Sequence, residues 1–114
     1  HLPGIKAVKL KMSKSGGPGG LSRQVALAHA HGLEVVVGNG VASDLGCVHE
    51  AACCIQLGLG AAAEMNGFLK LREPLLAAPL VLENGCLVLP EPSATALSPA
   101  RIEASTRLSL SFPS

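Results

Sequence analysis

The sequence predicts an α/β chain built from parallel strand–helix units. Two observations predict this fold class. A short β-prone run at residues 7–12 breaks into a glycine-rich loop and leads into an apolar helical stretch, and the same order repeats from residue 33. Strand, loop, helix, strand, loop, helix is the order of parallel βα units. We therefore expect a parallel sheet with helices packed against it.

The first predicted strand places two lysines on one of its faces. Side chains alternate along a strand, so Lys9 and Lys11 point one way and the apolar Val8, Leu10 and Met12 point the other way. Lysine is depleted in strands and is seldom fully buried without a partner. A glycine turn directly after such a strand is typical of a parallel strand that presents a functional group at its carboxyl end. An edge strand that uses lysine against aggregation gives the same pattern, and the strand alone does not separate the two interpretations.

The hydrophobic pattern predicts the remaining elements. Residues 21–31 are predicted to be a helix that Gly32 ends, residues 33–37 a strand, and residues 45–57 a second helix that Ser43 or Asp44 caps. Residues 79–90 are predicted to be a hairpin turning at Asn84-Gly85, because Asn-Gly is the strongest short turn signal. A further helix is predicted to start at Ser98-Pro99, and residues 107–112 alternate like a strand.

Three stretches of the chain resemble the enolase superfamily. They are KLKMSKSGG, EVVVGNGVASDLG and AEMNGFLK, which resemble the last three βα units of its muconate lactonizing, dipeptide epimerase and o-succinylbenzoate synthase branch. In that branch the sixth barrel strand carries a lysine in a pattern like K-hydrophobic-x-K-x-G-G, which is found here at residues 11–17. The resemblance covers roughly residues 5–90. It is specific for the family and much less so for the substrate.

The resemblance implies the C-terminal βα units of a (β/α)₈ barrel, incomplete in this chain. A full barrel needs about 200 residues or more, and the chain has 114. Residues 1–78 would be the barrel segment with strands six to eight, and residues 79–114 a hairpin and tail that return to the capping region. Hydrophobic residues make up 48% of the chain but aromatics only 2%, which suits a fragment that packs against missing neighbours.

The same resemblance implies Mg²⁺-assisted proton abstraction next to a carboxylate, as in a racemase, epimerase, cycloisomerase or dehydratase. Lys11 would be the catalytic acid or base. The chemistry requires an amine that can take a proton near neutral pH, which burial and nearby cations favour. The metal ligands of the family lie on earlier strands, so we expect Mg²⁺ to be bound outside this chain and the lone chain to be inactive.

Substrate contacts are expected at the ends of all three strands, from Lys9, Asn39, Ser43, Glu64 and Asn66. Relatives often carry a glutamate where this chain has Ala42, which indicates a retuned pocket and puts dipeptide epimerase and muconate chemistry in doubt. Glu64 and Asn66 share one face of the eighth-strand candidate, residues 61–69. For Glu64, a structural ion pair with an inward-pointing lysine is as well supported by the sequence as a contact with the substrate. Lys9 is expected to need a carboxylate partner from a missing strand.

Two hypotheses from other classes stay open. GNGVAS at residues 38–43 comes close to the dinucleotide fingerprint, with Ser43 at its third small position and Glu64 about twenty residues further on. That fingerprint normally opens its fold, whereas a complete βα unit precedes it here. The chain is alternatively a non-catalytic α/β module that is stabilised by self-association.

The net charge and the cysteine content limit the classes of binding partner and the compartment that we expect. The net charge of +1 favours neither nucleic acid nor an anionic membrane, and no run reaches the roughly 18 apolar residues of a membrane span. The four cysteines show no zinc spacing, and without a secretion signal we expect reduced thiols in the cytoplasm. The expected partners are a carboxylate-bearing small molecule, the missing N-terminal part of the barrel or another chain that supplies it, and further copies of this chain.

Overall fold

The computed structural model describes residues 3–38, 42–91 and 95–107. Within them the chain is a mixed α/β structure. Its strands are β1 (Ala7–Leu10), β2 (Glu34–Val37), β3 (Val81–Glu83) and β4 (Cys86–Val88), and its helices are α1 (Pro18–Ala30), α2 (Asp44–Gln56) and α3 (Pro99–Ser105). Short 3₁₀ turns cover Met12–Lys14 and Gly67–Lys70. The strand predicted over residues 107–112 lies outside the described residues apart from Arg107.

The first half of the chain has the predicted order β1–α1–β2–α2. Strands β1 and β2 are parallel, with Ala7 opposite Glu34 at one end of the ladder and Leu10 opposite Val37 at the other. Helix α1 begins three residues before the predicted start. Pro18 occupies the first helical turn, where its missing N–H costs nothing, and it follows a glycine in a backbone conformation that favours glycine.

The third parallel strand is much shorter than predicted. It consists of one bridge in which the Glu64 N–H donates to the carbonyl of Val37 at 2.9 Å. The chain then turns into the 3₁₀ segment at Gly67, whose missing side chain lets it lie against the backbone of Ala42. Three alanines precede Glu64, and alanine has low strand propensity. In the described residues this segment also has a strand partner on one side only.

The core lies on one face of the parallel sheet. Helix α1 covers this face with Leu21 and Val25, which are buried against Val35 and Val37 of β2. The opposite face carries Lys9, which is exposed, and half-buried Val36. Parallel sheets are almost always covered on both faces. The described residues therefore leave the lysine-bearing face of this sheet open.

The C-terminal part forms a hairpin and a short helix as predicted. Strands β3 and β4 pair antiparallel around Asn84 and Gly85, whose φ angles of 51° and 78° suit the predicted Asn-Gly turn. Helix α3 begins at Pro99, directly after Ser98. In the part of the chain that the structure describes, the strands do not close into a barrel, and none of the helices is long and apolar enough to cross a membrane.

Candidate functional site

The carboxyl ends of the parallel strands meet at one edge of the sheet. Lys11 directly follows β1, Gly38 directly follows β2, and Glu64 is bridged to Gly38. Ligand sites of open α/β sheets and of βα barrels lie at this end of the strands. The predicted topology thus brings Lys11 and Glu64 to the same edge, although they are 53 positions apart in the sequence.

Lys9 and Glu64 form an ion pair that crosses β2 on the open face. Both side chains are about half exposed, at 46% and 48%. They meet because Gly38 lies between them without a side chain, and a Cβ at Gly38 would overlap the Lys9 side chain. In βα barrels, side chains from alternate strands likewise share one interior layer. The expectation that a missing strand supplies the partner of Lys9 is wrong, because Glu64 of this chain does.

Lys11 lies where the backbone leaves β1 in an extended conformation and enters the first 3₁₀ turn. Its carbonyl accepts hydrogen bonds from the Lys14 N–H at 2.9 Å and from the Ser15 N–H and hydroxyl at 3.0 and 2.8 Å. These bonds fix the backbone that carries the side chain. The residue is half-buried, and its ammonium has no ion-pair partner among the residues that the structure describes.

The other predicted substrate-contact residues differ in the hydrogen bonds that their side chains already make. The Ser43 hydroxyl accepts a hydrogen bond from the Gly46 N–H at 3.3 Å and so caps α2, the alternative role that its position predicted. The side-chain oxygen of Asn66 is buried and has no hydrogen-bond partner among the residues that the structure describes. Asn39 lies outside the described residues.

Asp44 and Arg101 hold the C-terminal segment, a function that sequence reasoning missed. The Asp44 carboxylate is 1% exposed and accepts hydrogen bonds from the Leu76 N–H at 2.8 Å and from the Leu45 N–H at 3.0 Å. The Arg101 guanidinium donates to the Leu76 carbonyl at 2.6 Å. A charged residue at the start of an apolar helix is a signal for Asp44, but nothing in the pattern points to Leu76, 32 positions away.

The residues on this face do not fit a Mg²⁺ site. Magnesium prefers carboxylate oxygens in octahedral geometry. The Glu64 carboxylate is paired with Lys9, and the Asp44 carboxylate is taken up by backbone N–H groups. No group of three His, Cys, Asp or Glu side chains within the described residues is placed to hold a metal ion. The described residues therefore offer no Mg²⁺ site of their own.

Neither protein-family models nor curated proteins match the sequence, whereas solved structures do. Muconate lactonizing enzyme from Klebsiella pneumoniae matches with a TM-score of 0.81 and 27% identity over 90% of this chain and 29% of that one. Muconate lactonizing enzyme from Mycobacterium smegmatis, complexed with muconolactone, matches at 0.72 and 24%, over 87% and 28%. A substrate-liganded L-Ala-D/L-Glu epimerase from Bacillus subtilis matches at 0.67 and 21%, over 75% and 24%.

The chain spans less than a third of the length of each of these solved chains. The two matches below 25% identity speak for the fold alone, and the Klebsiella enzyme has both the highest identity and the highest TM-score of the three. All of these neighbours are enolase-superfamily enzymes of the muconate lactonizing type. The structure confirms the resemblance that the sequence predicted: this chain has the fold of a segment of an enolase-superfamily protein related to the muconate lactonizing enzymes.

Proposed function

We propose that this chain is a segment of an enzyme that moves a proton at the carbon next to a carboxylate, and that Lys11 is its acid or base. The observation that carries the proposal is the position of Lys11 at the carboxyl end of β1, in a chain that matches the Klebsiella enzyme at a TM-score of 0.81 over 90% of its length. Catalytic groups of barrel enzymes lie at this end of the strands.

The proposed step needs one amine and one acidic C–H bond next to the substrate carboxylate. The uncharged Lys11 amine takes the proton from the carbon next to the substrate carboxylate, whose electrons pass into an enediolate. The resulting ammonium returns the proton to the same face of the carbon, or holds it while another bond forms or breaks. Racemisation and epimerisation would in addition require a second acid, on a strand outside this chain, that delivers a proton to the opposite face, whereas cycloisomerisation and dehydration would differ in the later bond changes. The resemblance also implies Mg²⁺, for which the described residues of this chain provide no site.

Asn66 is a candidate for a substrate contact. Its side-chain oxygen has no hydrogen-bond partner among the described residues, but it is buried, so a substrate hydroxyl or amide would reach it only if neighbouring residues shift. The carboxylate of Glu64 is held by Lys9, so we infer that this pair contacts the substrate as a neutral unit rather than as two separate charges. Ser43 and Asn39 complete the proposed set, with Ser43 also capping α2.

The open face supports the proposal that the chain acts only together with further barrel strands. Lys9 and Glu64 lie on a sheet face that no described element covers, Lys11 follows on the same strand, and parallel sheets are almost always covered on both faces. The remaining strands would come from the N-terminal part of the barrel or from another chain. The division at residues 78 and 79, the location in the cytoplasm and the self-association of the chain stay predictions.

Reconstitution tests the proposed chemistry. We would mix this chain with the part of the Klebsiella muconate lactonizing enzyme that has no counterpart here, add Mg²⁺ and a panel of carboxylates including muconolactone, and follow proton exchange next to the carboxylate in D₂O by NMR. Exchange is expected with the unchanged chain and with Lys14→Met, a control that removes an exposed lysine three positions away. Lys11→Met should abolish it. Exchange that survives Lys11→Met would refute the assignment.

The dinucleotide-binding alternative has less support from the structure. The acidic residue that would receive the ribose hydroxyl in that interpretation is Glu64, and its carboxylate is paired with Lys9. Calorimetric titration with NAD, using Gly38→Val as the control, separates the two hypotheses. Saturable binding that the Gly38 variant loses would favour the nucleotide.

A further inference from the structure

We propose that Met12, Cys53 and Cys54 form a binding site for a soft monovalent cation such as Cu(I) or Ag(I). The site lies between the residue that opens the first 3₁₀ turn and the last turn of α2. It faces the core, on the side of the sheet opposite to Lys9. The inference is independent of the chemistry assigned to Lys11, whose side chain leaves the strand on the other face.

A contact between two sulfur atoms is the main observation. The Cys53 thiol donates a hydrogen bond to the Met12 thioether, with 4.0 Å between Sγ and Sδ. These residues are 41 positions apart, so the fold brings them together. A metal–sulfur bond is about 2.3 Å long, and two sulfurs that bind one ion at an angle of about 120° are therefore about 4.0 Å apart. The observed separation suits a three-coordinate ion with little movement of the chain.

Cys54 supplies the third sulfur. It follows Cys53 in α2, and both thiols pack against the same core cluster as Met12. Burial, and then the charge of Cys53, raise the pKa of Cys54, so the two thiols are close enough to interact. Both are free of disulfide bonds. Thiolate and thioether sulfurs select soft cations such as Cu(I), whereas hard cations such as Mg²⁺ prefer oxygen.

Binding would couple α2 to the loop that follows β1. The three side chains are half-buried, so an ion can reach them from solvent. On binding, the two thiols release their protons to solvent and three metal–sulfur bonds form, with no change in oxidation state. The Met12 carbonyl accepts hydrogen bonds from the Ser15 and Gly17 N–H groups at 3.1 and 3.2 Å. These two N–H groups should therefore exchange more slowly in the loaded chain.

The cavity of about 390 Å³ next to α2 is the competing location for such an ion. Its lining includes Cys54, Met65 and Cys86, so it also offers two thiols and one thioether. The contact between Cys53 and Met12 favours the first site. Met65 and Cys86 consequently serve as matched controls, because their removal takes one thioether and one thiol from the cavity alone.

Titration with Ag(I) alone, followed by native mass spectrometry in excess glutathione, tests the site. Glutathione removes an ion that a single thiol holds, so we expect one retained Ag(I) per chain. Cys53→Ser and Cys54→Ser should each weaken retention by about 100-fold or more, since even the loss of an outer-shell partner costs roughly 10- to 100-fold. Met12→Leu keeps the volume and should weaken retention about tenfold.

Met65→Leu and Cys86→Ser should leave retention unchanged, and circular dichroism checks that each variant is folded. Removal of all Ag(I) from the unchanged chain by glutathione would show adventitious thiol binding only and would overturn the proposal. Equal losses in Cys86→Ser and Cys53→Ser would place the ion in the cavity instead. Full retention in Met12→Leu would reduce the contact between Met12 and Cys53 to ordinary packing of sulfur in a core.

Discussion

The Lys9 ammonium and the Glu64 carboxylate are paired across β2, over the unsubstituted Cα of Gly38. Exposed ion pairs of this kind contribute about 0–1 kcal/mol, so the pair is not what holds the sheet together. Its effect is on the charge of the open face. With Lys9 neutralised, Lys11 is the lysine at the carboxyl end of β1 that has no ion-pair partner among the described residues.

Substituting Gly38 by alanine should break this pair at small cost to stability. The added Cβ would meet the far end of the flexible Lys9 side chain, which can swing aside. We expect a loss of less than about 1 kcal/mol in the free energy of unfolding. In the unchanged chain, Glu64→Gln should alter the NMR chemical shift of the Lys9 side-chain amine. In the Gly38→Ala variant, where the pair is already broken, Glu64→Gln should leave that shift unchanged.

Gly67→Ala is the contrasting substitution. Its Cβ would meet the backbone of Ala42, which cannot move without displacing the loop that precedes α2. We expect a loss of about 1–3 kcal/mol in urea unfolding, as for other overpacked sites. Equal costs for Gly38→Ala and Gly67→Ala would contradict the packing described for both glycines.

Local patterns predicted the helices and the hairpin, because the signals that set them lie within a few residues. Asn84-Gly85 in the hairpin and Ser98-Pro99 before α3 act on their own backbone, whereas Pro18 was assigned to the preceding loop and the start of α1 was therefore predicted three residues too late. The third strand was overestimated because pairing depends on neighbours. Around Glu64, alanines and a glycine that packs on Ala42 leave a single bridge.

The candidate site was predictable only as far as strand order determines it. Lys11 and Glu64 meet at one edge because parallel strands end together, and this follows from the predicted βα order. The pairing of Lys9 with Glu64 depends on the absence of a side chain at Gly38, which no local pattern encodes. The hydrogen bond from the Leu76 N–H to the Asp44 carboxylate joins the start of α2 to an irregular segment. The hydrophobic periodicity of the sequence therefore does not predict it.

Asp44→Ala should destabilise the chain more than loss of the adjacent helix cap. It would leave the Leu76 N–H buried without an acceptor, at a cost of about 1–3 kcal/mol. Ser43→Ala removes the cap of α2 and should cost about 1 kcal/mol. Urea unfolding of both variants, followed by circular dichroism, measures the difference. If Ser43→Ala is the more damaging substitution, the Asp44–Leu76 bond does not have the role assigned to it.

Arg101→Met should release the C-terminal segment while retaining most of the alkyl chain. It removes the donor to the Leu76 carbonyl at 2.6 Å, a charged hydrogen bond worth about 1.5–3 kcal/mol. Hydrogen exchange is the sensitive readout, because the N–H groups of Ala77 and Ser98 bond across this segment. Both should exchange faster, whereas the N–H of Gly38 in the parallel sheet should not. Unchanged protection at Ala77 would show that Arg101 is dispensable.

The Cys54 thiol should be the slower to react of two thiols that line one cavity of about 390 Å³ between α2 and the hairpin. Burial, and then the neighbouring Cys53 and Glu50, raise the pKa of Cys54 above its ordinary value. Less thiolate is then present at a given pH, and the thiolate is the species that alkylates. Mass spectrometry after iodoacetamide at pH 8 should show Cys86, which is exposed, modified before Cys54.

The same shift fixes the sign of a pH effect on stability. Because the pKa of Cys54 is higher in the folded state than in the unfolded state, folding favours the protonated thiol. The contribution of this thiol to the free energy of unfolding is therefore fully present below the unfolded-state pKa of about 8.5. It is lost as the pH rises through the folded-state pKa. Cys54→Ala should flatten the fall in stability above that pH. Glu50→Gln removes one of the three causes and should speed Cys54 alkylation. Alkylation of Cys54 at the rate of Cys86 would contradict the burial seen here.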